Sequence, residues 1–262
     1  MKATTPWAEA TLSEFDGVRF LHLDSIWVQG AMRIRKPNQL ELEYVQRMMA
    51  WLLWRDLDAL EREAGALHAV QLGLGAAALT RFCLHELRVR TTAVEINPSV
   101  IAACRQWFRL PPDGPRLTVL NQDARQWVDD PAHLQTVDAL NVDLYDHEAA
   151  SPVLDDEDFY AACRSVLQHG GLMTVNLFGR RASFARSSLR IAKVFGSDQV
   201  WQLTPTKEGN TVLVAGRSVR VPDRETLLAR AATIESRYRL PARKWLRLVR
   251  PLPMSILQGL QT

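Results

Sequence analysis

Between Ala69 and Asn176, five short apolar runs alternate with segments patterned as helices. The runs are Ala69–Leu72, Thr91–Val94, Leu117–Leu120, Val137–Val142 and Leu172–Asn176. Helical patterns fill Ala76–Leu87, Asn97–Phe108 and Asp155–Gln168, the last stopped by Gly170-Gly171. This alternation predicts a doubly wound α/β fold, in which a mostly parallel sheet is covered on both faces. In such sheets ligands sit beyond the carboxyl ends of the strands. The first four runs lead, in order, into Gly73-Leu74-Gly75, Glu95, Asp123 and Asp143, which places those residues at that edge. Downstream, a helix over Phe184–Phe195 and strands at Gln199–Leu203 and Thr211–Ala215 complete the pattern. Upstream, residues 17–35 suggest short strands with a turn at Gly30. Apolar steps of three to four residues from Leu40 to Leu60 predict one amphipathic helix reaching about Glu63.

Three segments follow: a small N-terminal β-rich element (1–39), a Rossmann-like nucleoside-binding and catalytic domain (40–216) and a basic, helical extension (217–262). The extension carries ten Lys/Arg against three acids. We read it as a solvated face, or one docked on the acidic body, in preference to a nucleic-acid surface. With 47% hydrophobic and 23% charged residues, the 262-residue chain is not a disordered one. No window is apolar enough to span a membrane, and the first residues lack the apolar stretch of a secretory signal. Cys83, Cys104 and Cys163 are odd in number and widely spaced, which fits a reduced, cytoplasmic protein.

Each strand-end residue has a chemical reading and a plainer one. The glycines at 73 and 75 let a ligand approach the backbone at a helix start, or simply turn the chain. Gly73-x-Gly75-x-x-Ala78 also fits a dinucleotide fingerprint. Glu95 can accept hydrogen bonds from both hydroxyls of a ribose, or favour a helix start as an exposed acid. Asp123, followed by Ala124, can accept from the amine of adenine, cap the next helix, or do both. Asp143 and Asp146 suit a cationic substrate, one acid taking the proton of a reacting amine and the other holding a distant ammonium. The plainer reading of that pair is a solvated acidic loop. The histidines give no metal-binding pattern. No Gly-x-Ser-x-Gly elbow, Walker loop or Asn-Pro-Pro-Tyr segment is found.

Together these residues resemble the spermidine/spermine synthase family of aminopropyltransferases over about residues 15–216. Gly73–Ala78 with Arg81 resembles the family's glycine-rich stretch, Ala93–Pro98 its Val-Glu-Ile-Asp segment, Gln122-Asp123-Ala124 its Asp-Ala, and Asp143-Leu144-Tyr145-Asp146 its Asp-Ser-Ser-Asp loop. Gly170-Gly171 with Asn176, and Gly209-Asn210, match later positions. The resemblance implies a methyltransferase-like Rossmann fold behind the N-terminal β-element. It implies decarboxylated S-adenosylmethionine as co-substrate, bound by Gly73, Gly75, Glu95, Asp123 and Ala124. An amine such as putrescine is the implied acceptor, with Asp143 as base. Asp146, Tyr145, Tyr44 and Gln29 form the implied amine site; no metal takes part, and the implied assembly is a homodimer.

Two departures stand out. Ala76 replaces an Asp that grips the aminopropyl amine in the family, and Val45-Gln46 replaces His-Glu after the tyrosine. Ala76 motivates an alternative, methyl transfer from intact S-adenosylmethionine to an amine. A nucleoside-binding protein without turnover is a second alternative, and an NAD-dependent dehydrogenase a distant third.

Overall fold

The computed structural model describes residues 7–145, 154–178 and 181–258. Strands β1 (Ala10–Phe15), β2 (Val18–Leu23) and β3 (Gly30–Arg33) form an antiparallel three-stranded sheet in that order. The chain then enters α1 (Glu43–Arg47), a 3-10 segment (Met48–Trp54) and α2 (Leu57–Arg62).

The single amphipathic helix expected from Leu40 to Glu63 is thus three pieces. All seven residues of Met48–Trp54 are buried, because they lie between strands on one side and the C-terminal helices on the other. A segment covered all round has no solvent face for a 3.6-residue stripe. The chain leaves helical geometry at Arg55 and restarts at Asp56, whose Oδ1 accepts from the N–H groups of Asp58 and Ala59.

The large sheet begins with β4 (His68–Leu72), followed by α3 (Ala78–Arg81), which runs on into a π turn at Phe82–Glu86. Next come β5 (Arg90–Glu95), α4 (Pro98–Trp107), β6 (Leu117–Asn121), α5 (Ala124–Asp129) and β7 (Val137–Val142). Then follow α6 (Glu157–Val166), β8 (Leu167–Phe178), α7 (Arg181–Phe195), β9 (Val200–Leu203) and β10 (Asn210–Gly216). Helices α8 (Arg224–Tyr238) and α9 (Ala242–Leu248), strand β11 (Val249–Pro251) and α10 (Met254–Leu257) close the chain.

The eight strands order as β11-β9-β10-β8-β7-β4-β5-β6, parallel from β8 to β6 and antiparallel from β8 to β11. Strand order reverses between β7 and β4, the place where a doubly wound sheet opens a crevice. The helix expected to run to Gln168 stops at Val166. Leu167 already pairs with Val137, and the ladder resumes only at Leu172 opposite Ala139. Gly170, at φ +79°, turns this bulge inside the strand where a helix stop was expected.

Both faces of the sheet are buried. On β10, Val212 and Val214 point into one core with Trp54, Phe82, Ile234 and Trp245. Leu213 and Ala215 point into the other with Trp127, Phe159, Met173 and Ile191, the period-two alternation of a central strand. A third core joins Leu21 and Met32 of the small sheet to Ala76, Cys104 and Phe108. The basic C-terminal segment is part of this packing: Ile234, Ala242 and Trp245 are almost fully buried. Arg237 pairs with Asp58 and Glu61, and Lys244 with Glu43, so part of its charge meets acids of the body. Among the described residues, no helix is long and apolar enough to cross a membrane.

Candidate active site

The carboxyl end of β4 is knit by backbone to those of β7 and β5. Asp143 N–H donates to Leu72 O at 2.9 Å, and Gly73 N–H donates to Val94 O at 2.9 Å. Gly73 stands at φ +89°, and a Cβ there would lie 2.2 Å from Asp143 O. Only glycine combines that conformation with so close a neighbour. Gly75, at φ +49°, lies just under Gln29 O, so the loop before β3 closes over the glycine turn.

A cavity of about 770 Å³ opens at this edge. Gln29, Tyr44, Gly73, Gly75, Glu95, Asp123, Ala124, Asp143 and Tyr145 all line it. Asp146 lies outside the described residues. The walls divide by chemistry. Glu95, Ile96, Gln122 and Asp123 come from the ends of β5 and β6, while Tyr44, Asp143, Asn176 and Asn210 gather at the opposite end with Glu43 and Glu208. Ile26, Trp27 and Val28 stand at the rim, well exposed, with the Trp27 ring edge-on to Phe178 at 6.4 Å.

Glu95 is held by backbone. Oε2 accepts from Leu74 N–H at 2.9 Å and Oε1 from Asn97 N–H at 2.8 Å. Burial raises its pKa, and these donors pull it back down. Each oxygen retains a second lone pair, so the carboxylate can still accept from a bound ligand. Asp123 caps α5, its Oδ1 accepting from Arg125 N–H at 2.7 Å, while it also lines the cavity.

At the other end, Asp143 Oδ1 accepts from Asn176 Nδ2 at 2.9 Å, and the Tyr44 hydroxyl also donates to this carboxylate. Burial raises the pKa of Asp143 against these two donors. Burial and the neighbouring carboxylate push the Tyr44 phenol well above its usual value, so it remains a donor. Tyr145 donates its hydroxyl to Asn176 O at 2.8 Å and accepts from Phe178 N–H. Its polar end therefore braces β8, and its ring forms wall.

Two residues of the glycine stretch face away from the cavity. Ala76 is 2% exposed and packs on Gly30, where an added Cβ would lie 2.4 Å from Ala76 N. Arg81 is buried behind the turn and donates to Pro37 O, Ala76 O and Phe108 O, bracing it from outside. Sequence reasoning left Asn176 and Asn210 out of the site, although Asn176 carries the same signal as the acids: a polar residue near the end of a parallel strand. Among the described residues, no group of three His, Cys, Asp or Glu side chains could hold a metal.

A family model described as the spermine/spermidine synthase domain matches residues 73–213. A polyamine aminopropyltransferase of Neisseria meningitidis is 33% identical over 217 residues, 82% of this chain and 79% of that protein. One from Chromobacterium violaceum is 31% identical over 234 residues, 88% of this chain and 85% of that protein. Among solved structures, a probable spermidine synthase from Corynebacterium glutamicum superposes with a TM-score of 0.67 at 21% identity, covering 89% of this chain and 87% of that one. Human methyltransferase-like protein 13, in complex with SAH, gives 0.64 at 21% identity, covering 76% and 93%. At such identities the structural likeness speaks for the methyltransferase-like fold alone.

Proposed function

This chain belongs to the spermine/spermidine synthase family, and from that premise we propose that it transfers an aminopropyl group from decarboxylated S-adenosylmethionine to an amine such as putrescine. Methylthioadenosine is the second product. The observation that carries the reading is that Glu95 and Asp123, from the ends of β5 and β6, and Asp143, from the end of β7, line one cavity, which we read as a nucleoside end and an amine end. Glu95 accepts from the ribose hydroxyls, and Asp123 with Ala124 meets the adenine edge. Gly73 and Gly75 admit the nucleoside close to the backbone.

At the amine end Asp143 accepts the proton of the attacking amine. The nitrogen bonds to the methylene carbon next to the sulfonium, the carbon–sulfur bond breaks, and its electron pair stays on sulfur. A positioned base of this kind contributes roughly 10²–10⁴-fold. Holding nitrogen and carbon in line supplies much of the remainder. Tyr44 and Gln29 enclose the acceptor and Tyr145 shapes its site, while the family resemblance assigns the distant ammonium to Asp146. The enzyme acts in the cytoplasm as a homodimer.

Incubation with decarboxylated S-adenosylmethionine and putrescine, read by mass spectrometry, is expected to yield methylthioadenosine and spermidine in equal amounts. Binding of the nucleoside without turnover on any diamine would refute the reading. Ala76, where the family carries an Asp, raises the alternative of methyl transfer from intact S-adenosylmethionine, but its side chain packs on Gly30 and does not line the cavity, so it gives that alternative no direct support. The same assay with that compound, read for S-adenosylhomocysteine, separates the two.

A further inference from the structure

The carboxylate at the amine end has a second layer behind it. Asn176 donates to Asp143 Oδ1, and Asn176 Oδ1 in turn accepts from Asn210 Nδ2 at 3.1 Å. Both asparagines are nearly buried, 4% and 9% exposed. A carboxamide has almost the same shape either way round, so packing alone does not decide which end faces Asp143. The partners decide it. An ionised carboxylate has no hydrogen to give, so Asn176 must present its NH₂ group there, and the donation from Asn210 satisfies the carbonyl end left over. The Asn210 backbone is held in turn: its main-chain N–H donates to Thr206 Oγ1 at 3.2 Å, and its main-chain carbonyl accepts from Thr206 N–H at 2.8 Å, closing the β9–β10 turn.

We propose that Asn210 is a positioning residue for the transfer reaction, acting through Asn176 to keep a hydrogen-bond donor on Asp143 and so hold that carboxylate ionised and singly oriented. The assignment rests on Asp143 being the base. Among the described residues, the titratable groups that face Asp143 are Tyr44 from α1 and Tyr145 from its own loop; Glu43 and Glu208 line the same cavity. Both phenols are pushed well above their usual range and stay neutral under ordinary assay conditions, so they do not supply the acid limb of a rate profile.

The test compares Asn210→Ala with Asn210→Asp. A carboxylate at 210 demands the NH₂ end of Asn176, turning its carbonyl toward Asp143. Asn210→Asp should therefore move the acid limb of kcat/KM upward by about one pH unit and lower kcat roughly tenfold or more, with the KM for the sulfonium nucleoside nearly unchanged. Asn210→Ala should move the limb the same way by less, and it keeps the test alive if Asn210→Asp does not fold. A bare through-space charge effect is distinguished by Asn176→Ala/Asn210→Asp. The relay requires that adding Asn210→Asp change little once Asn176 is gone.

The Asp143 carboxyl carbon is titrated in parallel by NMR in the ligand-free protein, assigned by its loss in Asp143→Asn. That readout does not depend on turnover, so absence of aminopropyl transfer would sink the functional reading and leave the relay to be judged by titration. Folded Asn210 variants with an unmoved carboxyl titration, or a double variant shifted by the full effect of Asn210→Asp, would overturn the relay.

Discussion

Asp143 is pulled two ways. Burial favours the neutral acid, the hydrogen bonds from Asn176 and Tyr44 favour the carboxylate, and burial prevails, so its pKa is raised. In the unfolded chain the same group returns to an ordinary carboxylate value. Between the two values the folded state binds more protons, so this residue's contribution to stability falls as pH rises through that window. At neutral pH its charge is a net burden on the fold. Asp143→Asn is accordingly expected to lower kcat by about 10²–10⁴ while raising Tm. A thermal melt showing a lower Tm, or a rate within a few-fold of wild type, would contradict this. Residue-level legibility follows the same geometry. Glu95, Asp123 and Asp143 could be picked out because each follows a strand in a regular alternation, and all three line the cavity. Asn176 obeys the same rule. Asn210 does not, because it reaches the site through antiparallel pairing with β8, Asn210 opposite Phe178, which no local pattern encodes.

The elements were legible where burial is one-sided or complete along a strand, and less so where a helix is enclosed. Strands β4 to β7 fall within a residue of their expected bounds, because continuous apolar runs between turns have few other ways to be buried, whereas β8 starts five residues before its expected Leu172. Met48–Trp54 misled because apolar residues on every side mimic periodicity without possessing it. The bulge at 168–171 misled because Gly-Gly serves a helix stop and a strand irregularity equally well. One glycine joins two elements directly. At Gly30 an added methyl would meet the backbone of Ala76, which no side-chain rotation relieves, whereas at Gly65 it would meet nothing within 4 Å. Gly30→Ala is expected to destabilise by roughly 1–3 kcal/mol in urea unfolding and to weaken methylthioadenosine binding in calorimetry, because the displaced turn lines the nucleoside end. Gly65→Ala should stay within about 0.5 kcal/mol of wild type.

Across the whole molecule, charge gives a poor guide to the C-terminal segment and apolar burial a better one. The ion pairs of Arg237 and Lys244 are largely solvent-exposed and should each contribute about 0–1 kcal/mol. Ile234, Leu240 and Trp245 instead complete the core over the 3-10 segment, and β11 covers the edge of β9. A chain ending at Gly216 is therefore expected to aggregate or lose its cooperative thermal transition, while Arg237→Ala and Lys244→Ala shift Tm by only a few degrees. A soluble, cooperatively melting truncation would show the tail to be an accessory. The near-contact of Gly30 with Ala76 has its own bearing on molecular traffic. The small sheet is riveted to the floor of the nucleotide-like bay, and a roof so fastened does not lift like a jaw. What borders the opening is instead an oily tongue, Ile26-Trp27-Val28, exposed and braced edge-on against Phe178, so any solute entering the bay must brush past it.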